Sequence, residues 1–439
     1  MKSKIKRVTS IVMMGMVGMV MAVAEDGQSN AALDKEIVSL KQRLDAMEAK
    51  LAAVASRPID KDLIESSKES SLKKGRVFST FDVELYGYIC GEASYDSNST
   101  DDCNQPSFVS PHTGNNTSHF NATAKETRIG VNITGPQIWE GKLSAKLEVD
   151  FYKDSTSQGS VPLRMRDAYL KWEKETLAVI VGQKVGSLMA PIGPDSLNFN
   201  GLSNQGAKGA THAQIRVTKD FVIEKDKKVE TGISLNRPGN SAGGSPHLQA
   251  LVGYKSKLLC DRDNYIALSG VAGKDRAEVE PNAEEPHQRY ARKYSVWAGV
   301  LSAIVPINDW LALSGDVYVG QNLGLYSGSL GQRYNNDNAN PHSLRTIGGW
   351  GQAAIKFTKK LTWNTGIGID KIKSRDVASY NSNVDGQYMD KNWGLFTNLI
   401  YNLTDCIELG VEYSVMETHY KSHGLCRNHR LQTSVSFDF

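Results

Sequence analysis

Residues 143–152 read LSAKLEVDFY and alternate between apolar and polar side chains without a break. Successive side chains of a β-strand point to opposite faces of the sheet, so this spacing predicts a strand with one apolar and one charged face. Such a strand either covers a soluble core or forms part of a membrane barrel.

The same period of two continues to the last residues, 430–439, which read RLQTSVSFDF. We count sixteen such runs after residue 81, with no helical pattern between them. They lie near 83–96, 120–134, 143–152, 163–172, 177–184, 211–217, 228–236, 247–255, 263–271, 293–305, 309–320, 344–357, 361–370, 391–403, 406–417 and 428–439.

The connections between these runs favour the membrane barrel. Short ones, such as 306–308, 358–360 and 404–405, alternate with mostly long, polar ones, such as 97–119 and 321–343. An even number of strands, short turns on one side and long loops on the other are typical of outer-membrane barrels. We therefore predict an all-β transmembrane barrel of about 16 antiparallel strands over residues 81–439; no later apolar run is long enough for a membrane helix.

Aromatic residues agree with a barrel. Trp139, Trp172, Trp310 and Trp363 lie in or beside the short turns, where an interfacial girdle is expected. The alternative is that they belong to the core of a β-sandwich. Phe439 ends the last alternating run, and a C-terminal aromatic residue is a usual feature of outer-membrane barrels.

The N-terminal segment predicts export. A basic stretch, MKSKIKR, precedes the apolar run VTSIVMMGMVGMVM, and Ala22 and Ala24 then supply small residues before Glu25. This pattern indicates a signal peptide over residues 1–24 rather than a membrane anchor. The signal peptide carries four positive charges, so its removal changes the net charge of the chain from +3 to −1. A nearly neutral protein has no electrostatic basis for nucleic-acid binding.

Residues 25–57 predict a short α-helical coiled coil, which a polar linker at 58–80 follows. Apolar residues repeat at alternating spacings of four and three, and Glu36–Lys41 and Arg43–Glu48 form complementary pairs for a parallel homo-oligomer. The alternative is one amphipathic helix lying on its own domain. The predicted oligomerisation residues are Leu33, Ile37, Leu40, Leu44, Met47, Leu51 and Val54.

Several blocks resemble the DcaP-like porin family of Gram-negative outer membranes. They are DVELYGYICGEASYDS, FNATAKETRIGVNITGP, KLSAKLEVDFY, LRMRDAYLKW and SLNFN, all within residues 82–205. The resemblance implies a homotrimer of sixteen-stranded barrels in the outer membrane, a periplasmic coiled coil, and a constricted pore for small anionic solutes. The family leads us to expect an arginine pair before the sixth strand, where this chain has Ala210, Thr211 and His212.

Charged side chains on the inward face would set the selectivity of such a pore. The alternation predicts that basic residues and one histidine line it. They are Arg128, Lys146, Arg164, Arg166, Lys184, His212 and Arg216. Alternatively, the basic residues pair with Glu126, Glu148 and Asp150 as a structural ladder. Strict alternation turns Asp167 outward, which would require its strand to lie in a subunit interface.

The region between the fifth and sixth strands, about 185–210, is expected to fold into the lumen as it does in general porins. Pro191, Pro194 and Gly193 suit a sharply turning segment there.

Five cysteines leave at least one unpaired, and we predict a disulfide between Cys103 and Cys426, in the first and last external loops. We predict no metal site, although His419, His423, Cys426 and His429 are capable of binding one.

No catalytic motif and no cofactor motif were found. The leading hypothesis is a passive diffusion porin for small hydrophilic, dicarboxylate-like anions. Its partners would be other copies of the chain, outer-membrane lipid and the solute. The alternatives are a structural envelope protein or adhesin with little pore activity and, more remotely, a barrel enzyme.

Overall fold

A computed structural model describes residues 81–111, 117–152, 161–237, 245–279, 290–332, 343–377 and 388–439. The predicted signal peptide, coiled coil and linker lie outside the described residues.

The described residues form seventeen β-strands in one antiparallel sheet. Their bounds are β1 Asp82–Asp96, β2 His119–Thr123, β3 Arg128–Ile138, β4 Gly141–Asp150, β5 Arg164–Lys174, β6 Leu177–Val185, β7 Thr211–Glu224, β8 Lys227–Asn236, β9 His247–Ser256, β10 Asn264–Val279, β11 Tyr290–Pro306, β12 Leu311–Gln321, β13 Arg345–Lys356, β14 Leu361–Ile372, β15 Met389–Thr404, β16 Ile407–Tyr420 and β17 Gly424–Asp438. Three 3₁₀ turns span Gly324–Tyr326, Ser329–Gly331 and Ser374–Asp376. Across these ranges, no helix has both the length and the apolar character needed to cross a bilayer.

The sheet closes on itself. β1 pairs with β17 along one edge, from Tyr88 opposite Asp438 to Asp96 opposite Arg430. Along its other edge β1 pairs with both β2 and β3, which together fill one strand position. Closure therefore gives sixteen positions, and the predicted sixteen-stranded antiparallel barrel is confirmed.

The two faces of the barrel wall differ in polarity. The outer face is apolar and the inner face is polar, which is the reverse of the arrangement in a soluble protein. On β10, Leu268 points outward and is 65% exposed, whereas the next residue, Ser269, is buried inside. Outward apolar and inward polar residues alternate in this way around the ring. A closed barrel with an apolar exterior satisfies its backbone hydrogen bonds internally, which is what a hydrocarbon environment requires.

The ends of the barrel also differ. Two-residue turns at 139–140, 175–176 and 405–406 lie at one end, and the longest connections, such as 97–118 and 186–210, lie at the other. Phe439 is held at the short-turn end, where it exchanges backbone hydrogen bonds of 3.0 and 3.2 Å with Gly87. Trp139, at this end, is 83% exposed, as expected for an interfacial side chain.

The last hairpin is longer than the sequence indicated. Residues 418–427 were expected to form the final external loop, but β16 and β17 leave only 421–423 between them. The pairs Thr418–Cys426 and Tyr420–Gly424 continue the antiparallel ladder. Backbone pairing therefore extends through a stretch whose polar side chains had suggested a loop, and Cys426 lies in a strand.

Candidate functional site

The connection between β6 and β7, residues 186–210, lies inside the barrel; we call it the inward loop. Its first residues contact the wall at β9, where the Gln249 side-chain oxygen accepts hydrogen bonds from Ser187 Oγ at 2.7 Å and Leu188 N at 2.9 Å. Farther along, Gln205 O lies so close to Gly368 on β14 that a Cβ there would be 2.2 Å away. The loop backbone therefore lies directly on the inner wall.

A buried carboxylate anchors the middle of the inward loop. Glu412 on β16 is 1% exposed and accepts hydrogen bonds from Ser196 Oγ at 2.8 Å and Leu197 N at 2.7 Å. Asn398 Nδ2 adds a third at 2.9 Å. Hydrogen bonds to a charged group contribute more than neutral ones, so Glu412 fixes this part of the loop to the far wall.

A buried lysine anchors the end of the inward loop. Lys208 Nζ lies 3.9 Å from the Asp370 carboxylate and 3.6 Å from the centre of the Tyr318 ring. It also donates to the backbone oxygens of Gly206 and Ser327 at 3.1 Å each. Burial lowers the pKa of Lys208 from its ordinary 10.5 to about 8, against the opposing effect of Asp370 and Asp316.

A second connection also folds inward, which the sequence did not predict. Leu323, Tyr326 and Leu330, between β12 and β13, are fully buried. Leu323 and Tyr326 pack with Met189 of the inward loop and with apolar residues of β10, β11 and β12. Hydrogen bonds from Asn204 N to Ser327 O and from Gly209 N to Tyr326 O join the two loops.

The first long connection reaches the inward loop as well. Asn200 Nδ2 donates to Ser107 Oγ at 2.9 Å, and Asn198 Nδ2 donates to Pro106 O at 3.2 Å. Three connections thus meet in the lumen and narrow it.

Four of the predicted basic residues form one cluster on the inner face of β3, β4 and β5. These are Arg128, Lys146, Arg164 and Arg166, which we call the basic cluster. Glu148 accepts ion pairs from Lys146 at 3.2 Å and Arg166 at 3.1 Å. Asp150 pairs with Arg164 at 2.6 Å and Arg166 at 2.9 Å. The alternative expectation of a charge ladder therefore describes these contacts, apart from Glu126, which faces Tyr88 at 3.5 Å.

The expected outward position of Asp167 is wrong. A β-bulge shifts the register between β4 and β5, so that Glu148 lies opposite Asp167 but Val149 lies opposite Met165. The extra residue on β5 lets both Arg166 and Asp167 point inward. Asp167 is 4% exposed and pairs with Lys146 at 3.2 Å, so no subunit interface is needed to explain it.

An aromatic ring of the inward loop lies against the basic cluster. The guanidinium carbons of Arg164, Arg166 and Arg128 lie 5.0, 5.2 and 5.7 Å from the centre of the Phe199 ring. The centre of the Tyr152 ring lies 4.5 Å from the centre of the Phe199 ring. These cation–π contacts hold the loop close to the basic cluster.

The remaining predicted residues lie on the neighbouring wall and face inward. Lys184 lies above the Tyr169 ring at 5.1 Å, and Arg216 donates to Gln214 and to Gly186 O at 2.7 Å each. His212 is packed edge-on against Tyr326 at 5.1 Å and is only 9% exposed. The second inward connection therefore covers His212, so it does not line open water as its strand position had suggested.

Two adjoining cavities lie between the inward loop and the short-turn end; together we call them the vestibule. Their volumes are 380 and 530 Å³, and Glu408 borders both. Carboxylates outnumber basic groups in the lining. The acidic residues are Glu92, Glu126, Asp195, Glu408 and Asp438, and the basic ones are Arg262 and Lys356.

Metal-capable side chains meet at one place in the described part of the chain. The ligand atoms of Cys90, Glu92 and Glu126 lie within 4.8 Å of one another. Glu92 already accepts hydrogen bonds from Tyr152 at 3.0 Å and Gln432 at 2.6 Å. The histidines considered from the sequence do not converge, since His419 pairs with Asp390 and His429 with Tyr413.

All five cysteines are free thiols, and the predicted bridge between Cys103 and Cys426 is not formed. The carbonyl of Cys103 accepts a hydrogen bond from Arg430, four residues along β17 from Cys426. Cys426 is buried instead with Val109, Met416 and Tyr420. Barrel closure does bring the first connection beside β17, but Arg430, which contacts Cys103, lies four residues or about 13 Å along the strand from Cys426.

The family model described as DcaP outer membrane protein matches residues 16–302. The outer membrane channel DcaP of Acinetobacter baumannii aligns with a TM-score of 0.65 and 17% identity, covering 83% of this chain and all of that one. An anion-selective porin from Comamonas acidovorans aligns with a TM-score of 0.53 and 11% identity, covering 82% of this chain and all of the porin. OmpT of Vibrio cholerae, in its trimer form, aligns with a TM-score of 0.52 and 12% identity, covering 82% of this chain and all of OmpT. No curated protein matches the chain.

Proposed function

Because the chain belongs to the DcaP outer membrane protein family, we propose that it is a passive diffusion channel for small hydrophilic solutes in the bacterial outer membrane. One observation carries the proposal: a closed barrel with an apolar exterior encloses a polar lumen that the inward loop narrows. Diffusion through such a lumen needs no catalytic group, since solute size and fixed charge decide passage.

We further propose a modest preference for small anions, including dicarboxylates. The inward basic residues outnumber the three carboxylates that form ion pairs with them; they are Arg128, Lys146, Arg164, Arg166, Lys184 and Arg216. Those carboxylates, Glu148, Asp150 and Asp167, neutralise only part of the positive charge. The acidic vestibule opposes the preference, which is why we expect it to be modest.

Planar-bilayer recordings in a KCl gradient test this proposal. The reversal potential is expected to lie nearer the equilibrium potential of chloride than that of potassium. A reversal potential nearer that of potassium would contradict the proposed role of the basic cluster. Replacing Lys146 with Gln should shift the reversal potential towards potassium. Replacing Lys274, which is exposed on the outward face of β10, with Gln is the control and should leave it unchanged.

A homotrimer is proposed as the working assembly. The porin-like fold and the OmpT relative solved in a trimer form support it, as does the heptad repeat at residues 33–54. Mass measurement of the detergent-solubilised protein should give three chains, and a variant lacking residues 25–57 should show whether the repeat is needed.

The second candidate is a structural envelope protein with little pore activity. Three connections meeting in the lumen favour it, because their contacts with one another occupy part of the space through which a solute would pass. Liposome swelling separates the two functions: a channel swells liposomes in small sugars or carboxylates, and a structural barrel does not.

A further inference from the structure

An open groove of 1150 Å³ runs along the outside of the barrel across β11–β14 and reaches β15. Its floor is formed by the backbone, because Gly299, Gly349 and Gly351 have no side chain there. Outward apolar side chains form its walls: Leu301, Val317, Val319, Ile347, Ile367 and Ile369. We call this feature the outer groove. It faces away from the lumen, so the transport of solutes makes no use of it.

Two lysines border the outer groove at its long-loop end. Lys371 and Lys391 lie opposite each other across β14 and β15, one position before the end of β14. Ile347 and Ile369 continue from them towards the middle of the wall. The groove therefore combines an apolar trough with two adjacent cations at one end.

These lysines are available, whereas three other basic side chains nearby are already paired. Arg345 binds Asp376, Arg427 binds Glu417, and His419 binds Asp390. Within the described part of the chain, neither Lys371 nor Lys391 forms an ion pair. Two unpaired cations at the edge of an apolar surface favour a ligand with an anionic head and an apolar tail.

We propose that the outer groove binds an acylated lipid of the outer leaflet through a phosphate on its headgroup. The phosphate contacts Lys371 and Lys391, and an acyl chain lies over Gly349 and Gly351 between the apolar walls. A second barrel in the outer groove would have to place carboxylates near Lys371 and Lys391 and also fill the groove with protruding side chains. A phosphorylated lipid supplies both the negative charge and the apolar chain, so the two lysines at the long-loop end favour the lipid.

Native mass spectrometry of the detergent-solubilised protein tests the headgroup contact, with diphosphorylated lipid A and zwitterionic phosphatidylethanolamine as probes. Lipid A should bind and phosphatidylethanolamine should bind far less. The double variant K371Q/K391Q should weaken lipid A binding roughly 30-fold, since each lysine near a lipid surface contributes about fivefold. The control K274Q/K293Q removes two exposed outward lysines outside the groove and should leave binding within threefold.

Equal binding of the two lipids, or equal effects of the two double variants, would overturn the proposal. Conductance of K371Q/K391Q should stay at the wild-type level, so this test stands apart from that of the channel function.

Filling the trough tests the acyl-chain contact. A Cβ added at Gly351 would have Ser314 O, 4.0 Å away, as its nearest neighbour, so Gly351→Leu should fold and occupy the groove. We expect lipid A binding to fall at least tenfold. Gly91→Leu, outward on β1 and equally free of contacts, is the matched control.

The alternative occupant of the outer groove, a second barrel, is tested with Gly351→Cys in a protein whose five native cysteines are replaced by serine. An intermolecular disulfide in membranes would show that a second barrel covers the groove and would overturn the proposal. Absence of the disulfide, together with loss of lipid A binding in Gly351→Leu, supports it.

Discussion

Raising the pH above 8 should strengthen the contact between the inward loop and the barrel wall, because Lys208 must be buried there. The side chain is fully buried, and its pKa falls from 10.5 to about 8 when the loop lies on the wall. Lys208 belongs to the loop and not to a membrane-spanning strand. The groups that face it are Asp370, Asp316 and Tyr318.

The direction follows from proton binding. Between pH 8 and 10.5 a detached loop carries a protonated Lys208, whereas the attached loop carries a neutral one. The detached state therefore binds more protons, and attachment becomes more favourable as the pH rises. Two pKa values of about 8 and 10.5 give roughly 20-fold stronger attachment at pH 9.5 than at pH 7.5, or about 2 kcal/mol.

Hydrogen exchange of peptides from residues 186–210, corrected for the intrinsic effect of pH, measures this change. Protection should rise roughly 20-fold between pH 7.5 and 9.5 in the wild type. The Lys208→Met variant keeps the apolar stem but cannot titrate, so its protection should change much less. A wild-type protection that falls with pH, or a variant that responds equally, would refute the reasoning.

Three further changes test other contacts. Arg166→Gln removes one partner each from Glu148 and Asp150 and should shift the reversal potential towards potassium, measured in a KCl gradient. Glu412→Gln leaves one of the two loop donors without a good acceptor, which should cost about 1–3 kcal/mol of loop attachment and raise single-channel conductance or its noise. Leu268→Arg puts a charge in the lipid and should lower the free energy of unfolding in bilayers by about 2–4 kcal/mol if the site is near mid-membrane, whereas Leu258→Arg, between β9 and β10, should change it little.

Alternation of polarity was sufficient to predict the barrel. The strand runs near 143–152, 247–255 and 361–370, for example, lie within one or two residues of β4, β9 and β14. Each of these strands separates lipid from lumen, so each side chain reports its own environment. The inward facing of Arg128 and Lys146 follows from the same rule.

Features that depend on contacts between distant segments could not be predicted. The bulge at Arg166 adds one residue to β5. The alternation shows only its consequence, a charged Asp167 at a predicted outward position, which a subunit interface would explain equally well. The burial of Tyr326 depends on Met189 and on the walls of β10–β12, which are far away in sequence. Phe199, within the SLNFN block, was recognisable only as part of the family resemblance, and its contact with three arginines required the folded loop.

Thiol accessibility tests most directly that this barrel encloses a watery passage bounded by the inward loop. In a background free of the native cysteines, Phe199→Cys lies beside the basic cluster and Val317→Cys lies on the outer wall. A charged, water-soluble thiol reagent should reduce the single-channel current of the first variant and leave that of the second unchanged. Current that is absent, or that responds alike in both variants, would contradict an aqueous lumen at Phe199.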